Sequence, residues 1–144
     1  MALDLPTSER GVSYSFNEVH MTLRKALVGR RLAFGVADIW AAAGARMSAT
    51  GRDGVQSVLD RDNDRLVRDL ASVEVALMAK LPPQQGLEAA VAEELSGAPF
   101  PRDRASAISD QSWQAALDLA QLTYVPESEA SRLGGAGAGT NDND

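Results

Sequence analysis

Glu18 and Lys25 lie on the predicted first helix, and Glu129 and Arg132 belong to the C-terminal segment. A carboxylate and a lysine can carry out acid–base chemistry once burial shifts their pKa values. The guanidinium group of Arg132 is suited to holding an anionic substrate. We therefore consider the hypothesis that the chain is a small enzyme with Glu18, Lys25 and Glu129 as its candidate catalytic residues. Its pocket would lie between the first helix and the C-terminal segment.

The C-terminal sequence SRLGGAGAGTNDND is a second candidate, this time for binding. Its glycines allow backbone amides to approach a partner closely. Ordering such a segment costs on the order of 1–2 kcal/mol per residue, so we expect a flexible tail that gains order only on a partner. The preceding residues 128–132 could equally be the solvated face of a short turn. The candidate binding residues are Ser128, Ser131, Arg132, Gly135, Gly137, Gly139, Asp142 and Asp144.

The glycine-rich tail does not match a nucleotide-binding loop. Gly134 and Gly139 have the outer spacing of a Walker loop and Thr140 follows, but the lysine of that motif is absent. The dinucleotide fingerprint also fails, because Gly137 and Gly139 lead only to polar residues and the end of the sequence. The sequence therefore supports neither nucleotide motif.

The sequence DRDND at 60–64 resembles the start of a calcium-binding EF-hand loop. Arg65 stands where that loop needs glycine, and Ala71 stands where it needs the bidentate glutamate. We therefore interpret these aspartates as an N-capping cluster at the start of a helix.

His20 is the only histidine, and the sequence contains no cysteine. Disulfides, thiolate metal sites and a cysteine nucleophile are excluded, and any histidine-based relay would need His20. We interpret His20 as a residue at the edge of the first helix's apolar face, next to Phe16 and Arg24. We expect no metal and no cofactor.

Composition limits the partners further. The net charge is −6, and the acidity lies in the C-terminal part, since residues 81–144 carry 10 acids and 3 bases. We expect no nucleic acid partner, because phosphate binding needs a basic surface. The basic cluster Arg24, Lys25, Arg30 and Arg31 is interpreted as cations that complement a helix dipole. We expect no signal peptide and no membrane-spanning helix, and the absence of cysteine fits an expected cytoplasmic location.

Apolar spacing and capping residues predict an all-α single domain of four or five helices. A flexible arm covers 1–13, the helical domain covers 14–126 and a Gly-rich acidic tail covers 127–144. The predicted helices are 15–29, 34–50, 63–79, 87–96 and 110–123, with a further helical turn at 55–59. Ser15 and Glu18 form a capping box, and Asp110 is the expected cap of the last helix.

Faces of these helices can also be assigned. Small residues at 37–45 predict a close antiparallel pair between the first two helices. The helix over 63–79 is expected to turn one apolar stripe inward and to keep Arg61, Arg65, Arg68 and Asp69 in water. The inward residues are predicted to be Leu66, Val67, Leu70, Val73 and Leu77 on that helix, and Trp113, Ala116, Leu117 and Ala120 on the last one.

Two stretches, 15–54 and 113–144, resemble the two ends of an uncharacterised bacterial family defined by a domain of unknown function. The first stretch matches the family motifs S-[LF]-N-E, K-A, a single glycine and G-x-A-[ED]. The second stretch matches the family motifs Y-V-P-x-S-E-x-S-R, G-A-G-A-G and D-N-D. The resemblance implies no established activity, and this chain is shorter than the family in the middle. It does imply that the tail belongs to a family signature and is ordered, either by itself or by a partner.

Two functional hypotheses follow. The first is a non-catalytic accessory subunit that assembles with a partner protein or with further copies of itself, the tail ordering on binding. The second is the small enzyme described above. The first is favoured because no recognisable constellation of catalytic residues is present.

Overall fold

The computed structural model describes residues 11–82 and 84–123. Helices account for most of these residues, and a 3₁₀ turn at Gln121–Thr123 follows the last of them. The described part contains no strand, only an isolated bridge between Tyr14 and Ala105. The predicted all-α single domain is confirmed. In chain order the helices are α1 (Phe16–Gly29), α2 (Phe34–Ser48), α3 (Gly54–Leu59), α4 (Asn63–Met78), α5 (Gly86–Leu95) and α6 (Asp110–Ala120).

Side-chain caps determine where several helices begin. Ser15 and Glu18 form the predicted capping box, with the Glu18 N–H donating to Ser15 Oγ over 3.1 Å and the Ser15 N–H donating to Glu18 Oε1 over 2.8 Å. Asp62 caps α4 by accepting from the Arg65 N–H, so the capping interpretation of the DRDND sequence is confirmed. The prediction for the last helix was wrong by one residue, since Ser109 rather than Asp110 is its cap.

The described residues contain six helices, where four or five and a further helical turn were expected. The segment 54–59, expected to add only a helical turn, forms the separate helix α3 because Asp53 accepts from the Gln56 N–H and starts it. Ser13, the last residue of the predicted arm, accepts hydrogen bonds from the guanidinium group of Arg104 through both its hydroxyl and its carbonyl oxygen.

Helix α2 is the central element of the described fold. It contacts α1, α3, α4 and α5, and its residues from Trp40 to Ser48 are all buried. The predicted pairing of the first two helices is confirmed, with the backbone of Gly44 packed against the side chain of Leu23. Trp40 is the largest fully buried side chain, and its Nε1–H donates to the carbonyl oxygen of Leu66 over 2.9 Å.

Helices α2 and α3 approach each other closely through their backbones. A Cβ atom at Gly54 would overlap with the carbonyl oxygen of Gly44, so the two helices meet without an intervening side chain. Ser48 completes this contact, because its hydroxyl donates to the Gly44 carbonyl (2.8 Å) and accepts from the Gly54 N–H (3.0 Å). A second contact of this kind lies where Gly29, predicted only as a helix end, packs on the carbonyl of Leu119 in α6.

Three predicted inward residues were assigned to the wrong face. Val67 and Leu77 are 51% and 40% exposed on α4, and Leu117 is 36% exposed on α6. The buried face of α4 instead consists of Leu66, Leu70, Val73 and Ala76. The prediction that Arg61 faces water was also wrong, since its side chain is 12% exposed and bound to acidic groups.

Replacing Gly54 with alanine tests the contact between α2 and α3. The added methyl group overlaps with backbone atoms that cannot rotate away, so we expect the free energy of unfolding to fall by about 1–3 kcal/mol. Chemical denaturation followed by circular dichroism measures this change.

Gly35→Ala is the matched control. Gly35 is exposed in the first turn of α2, and apart from its chain neighbours and the backbone of its own helix no atom lies within 4 Å of the position that a Cβ atom would take there. Because alanine favours the helix more than glycine, this variant should be unchanged or more stable by up to about 1 kcal/mol. Equal stability of both variants would contradict the proposed close contact.

Candidate functional site

The candidate catalytic residues Glu18 and Lys25 are both exposed on α1 but do not form one site. Glu18 is engaged in the capping box, and its Oε1 lies 3.7 Å from the guanidinium group of Arg104. Lys25 lines an open cavity of about 350 Å³ between α1 and α6. The described residues that line this cavity are Thr22, Lys25, Gln114, Leu117, Ala120 and Gln121, so Glu18 is not among them.

The remaining predicted site residues lie outside the described part of the chain. They are Glu129 from the candidate catalytic set and the candidate binding residues Ser128, Ser131, Arg132, Gly135, Gly137, Gly139, Asp142 and Asp144.

His20 lies at the contact between α1 and α2. Its Nε2 is 2.9 Å from Asp38 Oδ1, and Arg24 donates to the same carboxylate oxygen over 3.1 Å. The ring of Phe16 packs against the imidazole, with ring centroids 5.7 Å apart. Across residues 11–82 and 84–123, no group of three or more histidines and carboxylates is arranged to hold a metal ion. His20 therefore serves as a bridge between two helices.

Arg30 fixes the connection between α3 and α4. Its guanidinium group donates to the carbonyls of Leu59 and Arg61 and to Oδ1 of Asn63. Burial lowers the pKa of Arg30, although the nearby charge of Asp62 opposes this effect. Arg24 and Arg30, predicted to complement the dipole of α1, both bind groups outside that helix, Arg24 binding Asp38 and Arg30 binding Asn63.

Arg46 is the most buried charged residue described, with 5% of it exposed. It donates to Glu94 Oε1 at 3.0 Å and to the carbonyl oxygens of Ala98 and Pro99 at 2.8 and 3.1 Å. Its guanidinium carbon also lies 5.5 Å from the centroid of the Phe100 ring. Arg46 therefore attaches the segment after α5 to the central helix.

Arg61 connects α4 to α5. Its guanidinium group donates to Glu88 Oε2 at 2.8 Å and to Asp69 Oδ2 at 3.1 Å, and it lies over the ring of Trp40. Burial raises the pKa of Glu88, but the hydrogen bond from Arg61 and the positive charges of Arg61 and Arg65 outweigh burial. The pKa of Glu88 is therefore lowered from its ordinary value of 4.5.

Four residues form an apolar stripe on the side of α4 that faces away from the core. Val67, Ala71, Val75 and Met78 lie within about 80° of one another around the helix, roughly opposite its buried face. Val75 is 62% exposed and Met78 is 85% exposed. We call these four residues the outer stripe. Helix α4 is therefore apolar on two opposite sides, of which the described fold covers one.

An apolar groove lies between the C-terminal end of α4 and helix α5. It has a volume of about 370 Å³. Leu81, 57% exposed, extends the apolar surface just past the end of α4. The groove is lined by Leu77, Leu81, Gln84, Ala89, Ala92, Glu93, Ser96 and Ala98.

Sequence reasoning missed the outer stripe because it assigned Val67 and Leu77 to a single inward face. One signal was available. Val67 and Val75 are each four residues from Ala71, which places all three on one side of a helix, whereas the leucines at 66 and 70 already define a separate face. Two apolar faces on one helix indicate two packing partners.

Comparisons with family models, with curated proteins and with solved structures find no match to this chain. The resemblance of its two ends to an uncharacterised bacterial family therefore stays a prediction. None of the helices in the described residues has the length and apolar character needed to cross a lipid bilayer.

The ion pair between Arg61 and Glu88 predicts a specific acid sensitivity. Because the pKa of Glu88 is lowered in the folded chain, the unfolded chain binds a proton at Glu88 at a higher pH than the folded chain does. The contribution of ionised Glu88 to the free energy of unfolding is therefore complete above about pH 5, and it is lost as the pH falls through the folded-state pKa. Glu88→Gln should make the fall in unfolding free energy between about pH 5 and pH 3 shallower, as measured by urea denaturation.

Asp103→Asn is the control for this measurement. Asp103 is exposed outside the helices, and its side chain makes no ion pair with another described residue. This variant should keep the slope of the unmodified chain. An identical slope for Glu88→Gln would show that the Arg61–Glu88 pair makes no contribution to acid stability.

Proposed function

We propose that this chain is a non-catalytic accessory subunit that assembles with a partner protein through the outer stripe of α4. The observation that carries the proposal is the second apolar face of this helix, with Val67, Val75 and Met78 between 51% and 85% exposed. A contiguous apolar surface on a folded domain is typical of a protein interaction site. Helix faces of this kind associate with a partner helix through residues spaced three and four apart.

The composition of this surface suits a protein partner. Charged residues flank the outer stripe, with Arg68 on one side and Glu74 on the other. An apolar centre with a polar rim is the usual anatomy of an interface between proteins. The groove next to Leu81 would provide further apolar area for the same partner.

The C-terminal segment is a second element of the proposal. Residues 127–144 combine glycines with acidic residues, so binding would order them at a cost in conformational entropy while adding contact surface. The expected cytoplasmic location belongs to the same proposal. The enzyme hypothesis has less support, because Glu18 and Lys25 do not share a site and Glu129 lies outside the described residues.

Capture from the organism that encodes the chain tests the proposal. A tagged chain should recover a stoichiometric partner, either a different polypeptide or an untagged copy of this chain. The Val67→Glu/Val75→Glu variant should lose at least about nine-tenths of that partner, because charges would be placed in the apolar centre of the interface. Quantitative mass spectrometry measures the recovery.

Two further variants complete this experiment. Ala115→Glu places the same charge at an exposed position of α6, a helix that does not touch α4, and should retain the partner. A stop after Leu133 removes the glycine run and should weaken recovery. The absence of any stoichiometric partner, or equal recovery with Val67→Glu/Val75→Glu, would refute the proposal.

A further inference from the structure

We propose that the outer stripe of α4 packs on the outer stripe of a second copy of this chain, the two helices crossing at Ala71 and related by a two-fold axis. This inference rests on the proposed function and names the partner. Four observations support it: the spacing of residues along the outer stripe, the small residue at its centre, the charges beside it and the absence of partners for those charges within the described residues.

The spacing of the outer stripe sets the geometry of the contact. Val67, Ala71 and Val75 follow one another at intervals of four residues and form a ridge inclined by about 26° to the helix axis. When two such ridges run side by side in the same direction, the helix axes cross at about 50°, the commonest packing angle of helices. A two-fold axis along the ridges then places each valine beside the same valine of the other copy.

A small residue lies where the two helices would come closest. Ala71 is exposed at the centre of the outer stripe, and a methyl group allows two helix axes to approach to about 8 Å. A large side chain at this position would hold the two backbones apart. The surfaces of crossed helices curve away from each other on both sides of this point, and the larger side chains of Val67 and Val75 fill the space there.

The flanking charges are complementary in this arrangement. Arg68 precedes Ala71 by three residues on one side of the ridge, and Glu74 follows it by three on the other side. The two-fold axis along the ridges exchanges the two sides, so Arg68 of each copy lies opposite Glu74 of the other. One ion pair therefore forms at each edge of the apolar contact.

The same charges select the direction of the pairing. A two-fold axis perpendicular to the ridges would make the two helices antiparallel. Each residue would then lie on the same side of the paired ridges as its counterpart in the other copy. It would bring the two Arg68 side chains together at one edge and the two Glu74 side chains together at the other. Because like charges that face each other across an interface are unfavourable, the two ridges run in the same direction.

These two charges are available for such a contact. Both residues are exposed, and neither side chain makes an ion pair or hydrogen bond with another described residue. Arg65 and Asp69, by contrast, are engaged with each other and with Arg61. Arg65 and Arg61 both donate to Asp69, and Arg61 also donates to Glu88.

The strength of this association follows from its size. One helix face on each copy is a small interface, which places it among weak associations. We expect a dissociation constant of roughly 10–100 µM for the purified chain. Sedimentation equilibrium from about 1 µM to about 500 µM covers the change from monomer to dimer.

Charge reversal tests the two ion pairs. Arg68→Glu places two glutamates opposite each other at both edges of the dimer, and Glu74→Arg does the same with arginines. Each single variant should dimerise at least about tenfold more weakly than the unmodified chain. The double variant Arg68→Glu/Glu74→Arg restores both pairs and should dimerise within about threefold of the unmodified chain.

Mixing the two single variants tests the direction of the pairing. An Arg68→Glu chain and a Glu74→Arg chain have opposite charges at both edges, so the mixture should form a heterodimer within about threefold of the unmodified dimer's strength. A heterodimer at least about tenfold tighter than the unmodified dimer would mean that like charges face each other in the unmodified chain. That result would refute the proposed direction.

Two surface variants are the controls for these measurements. Arg102→Glu and Asp103→Arg make the same changes of charge at exposed residues that lie outside α4. Both should dimerise as the unmodified chain does. Circular dichroism should show the same helix content for every variant, so that a loss of dimer cannot be a loss of fold.

The results separate this inference from the proposed function. If the unmodified chain is monomeric throughout, or dimerises but ignores both charge reversals, the pairing of outer stripes is wrong. The proposed function would survive that result if the tagged chain still captured a different polypeptide that Val67→Glu/Val75→Glu loses. Concentration-dependent dimers, weakened by each single reversal and restored by mixing, would establish the pairing.

Discussion

The fold depends on the close approach of two backbones, where α3 packs on α2 at Gly54 and Gly44. Ser48 bridges the two glycines with hydrogen bonds, so the contact is polar as well as close-packed. This approach lets α2 be surrounded by α1, α3 and α5 and bury nearly all of its second half. In the described part of the chain, helix α4 touches this centre through one face only, and no described residue covers its opposite face. Assembly through that face would bury the outer stripe, whose residues do not belong to the core of the described domain.

Arginines fasten the connections around that centre. Arg30 holds the residues between α3 and α4, Arg46 holds the segment after α5, and Arg61 links α4 to α5. Hydrogen bonds that involve a charged group contribute about 1.5–3 kcal/mol each. With few aromatic residues available, these guanidinium groups give the loops fixed positions. Arg68 makes no such contact with the described residues, so its guanidinium group is available beside the outer stripe.

The starts of helices could be predicted from sequence, because capping is a local interaction. Ser15 and Glu18 are three residues apart, and Asp62 directly precedes the helix that it caps. The partners of Arg46 and Arg61 could not be predicted, since the glutamates that they bind are distant in sequence and are brought close only by helix packing. For the candidate site, the sequence supplied the apolar residues of α4 but not their separation into two faces. That separation depends on which neighbours cover the helix.

Cysteine cross-linking tests the assembly through α4 most directly, because the chain has no cysteine of its own. Ala71→Cys and Val67→Cys should each form disulfide dimers under mild oxidation, since both positions meet their own counterparts, whereas Ala115→Cys on α6 should stay monomeric. A Val67→Cys chain should not link preferentially to a Val75→Cys chain, because these positions are about 12 Å apart along the helix. Failure of Ala71→Cys to link, or a preference of Val67→Cys for Val75→Cys, would contradict the account.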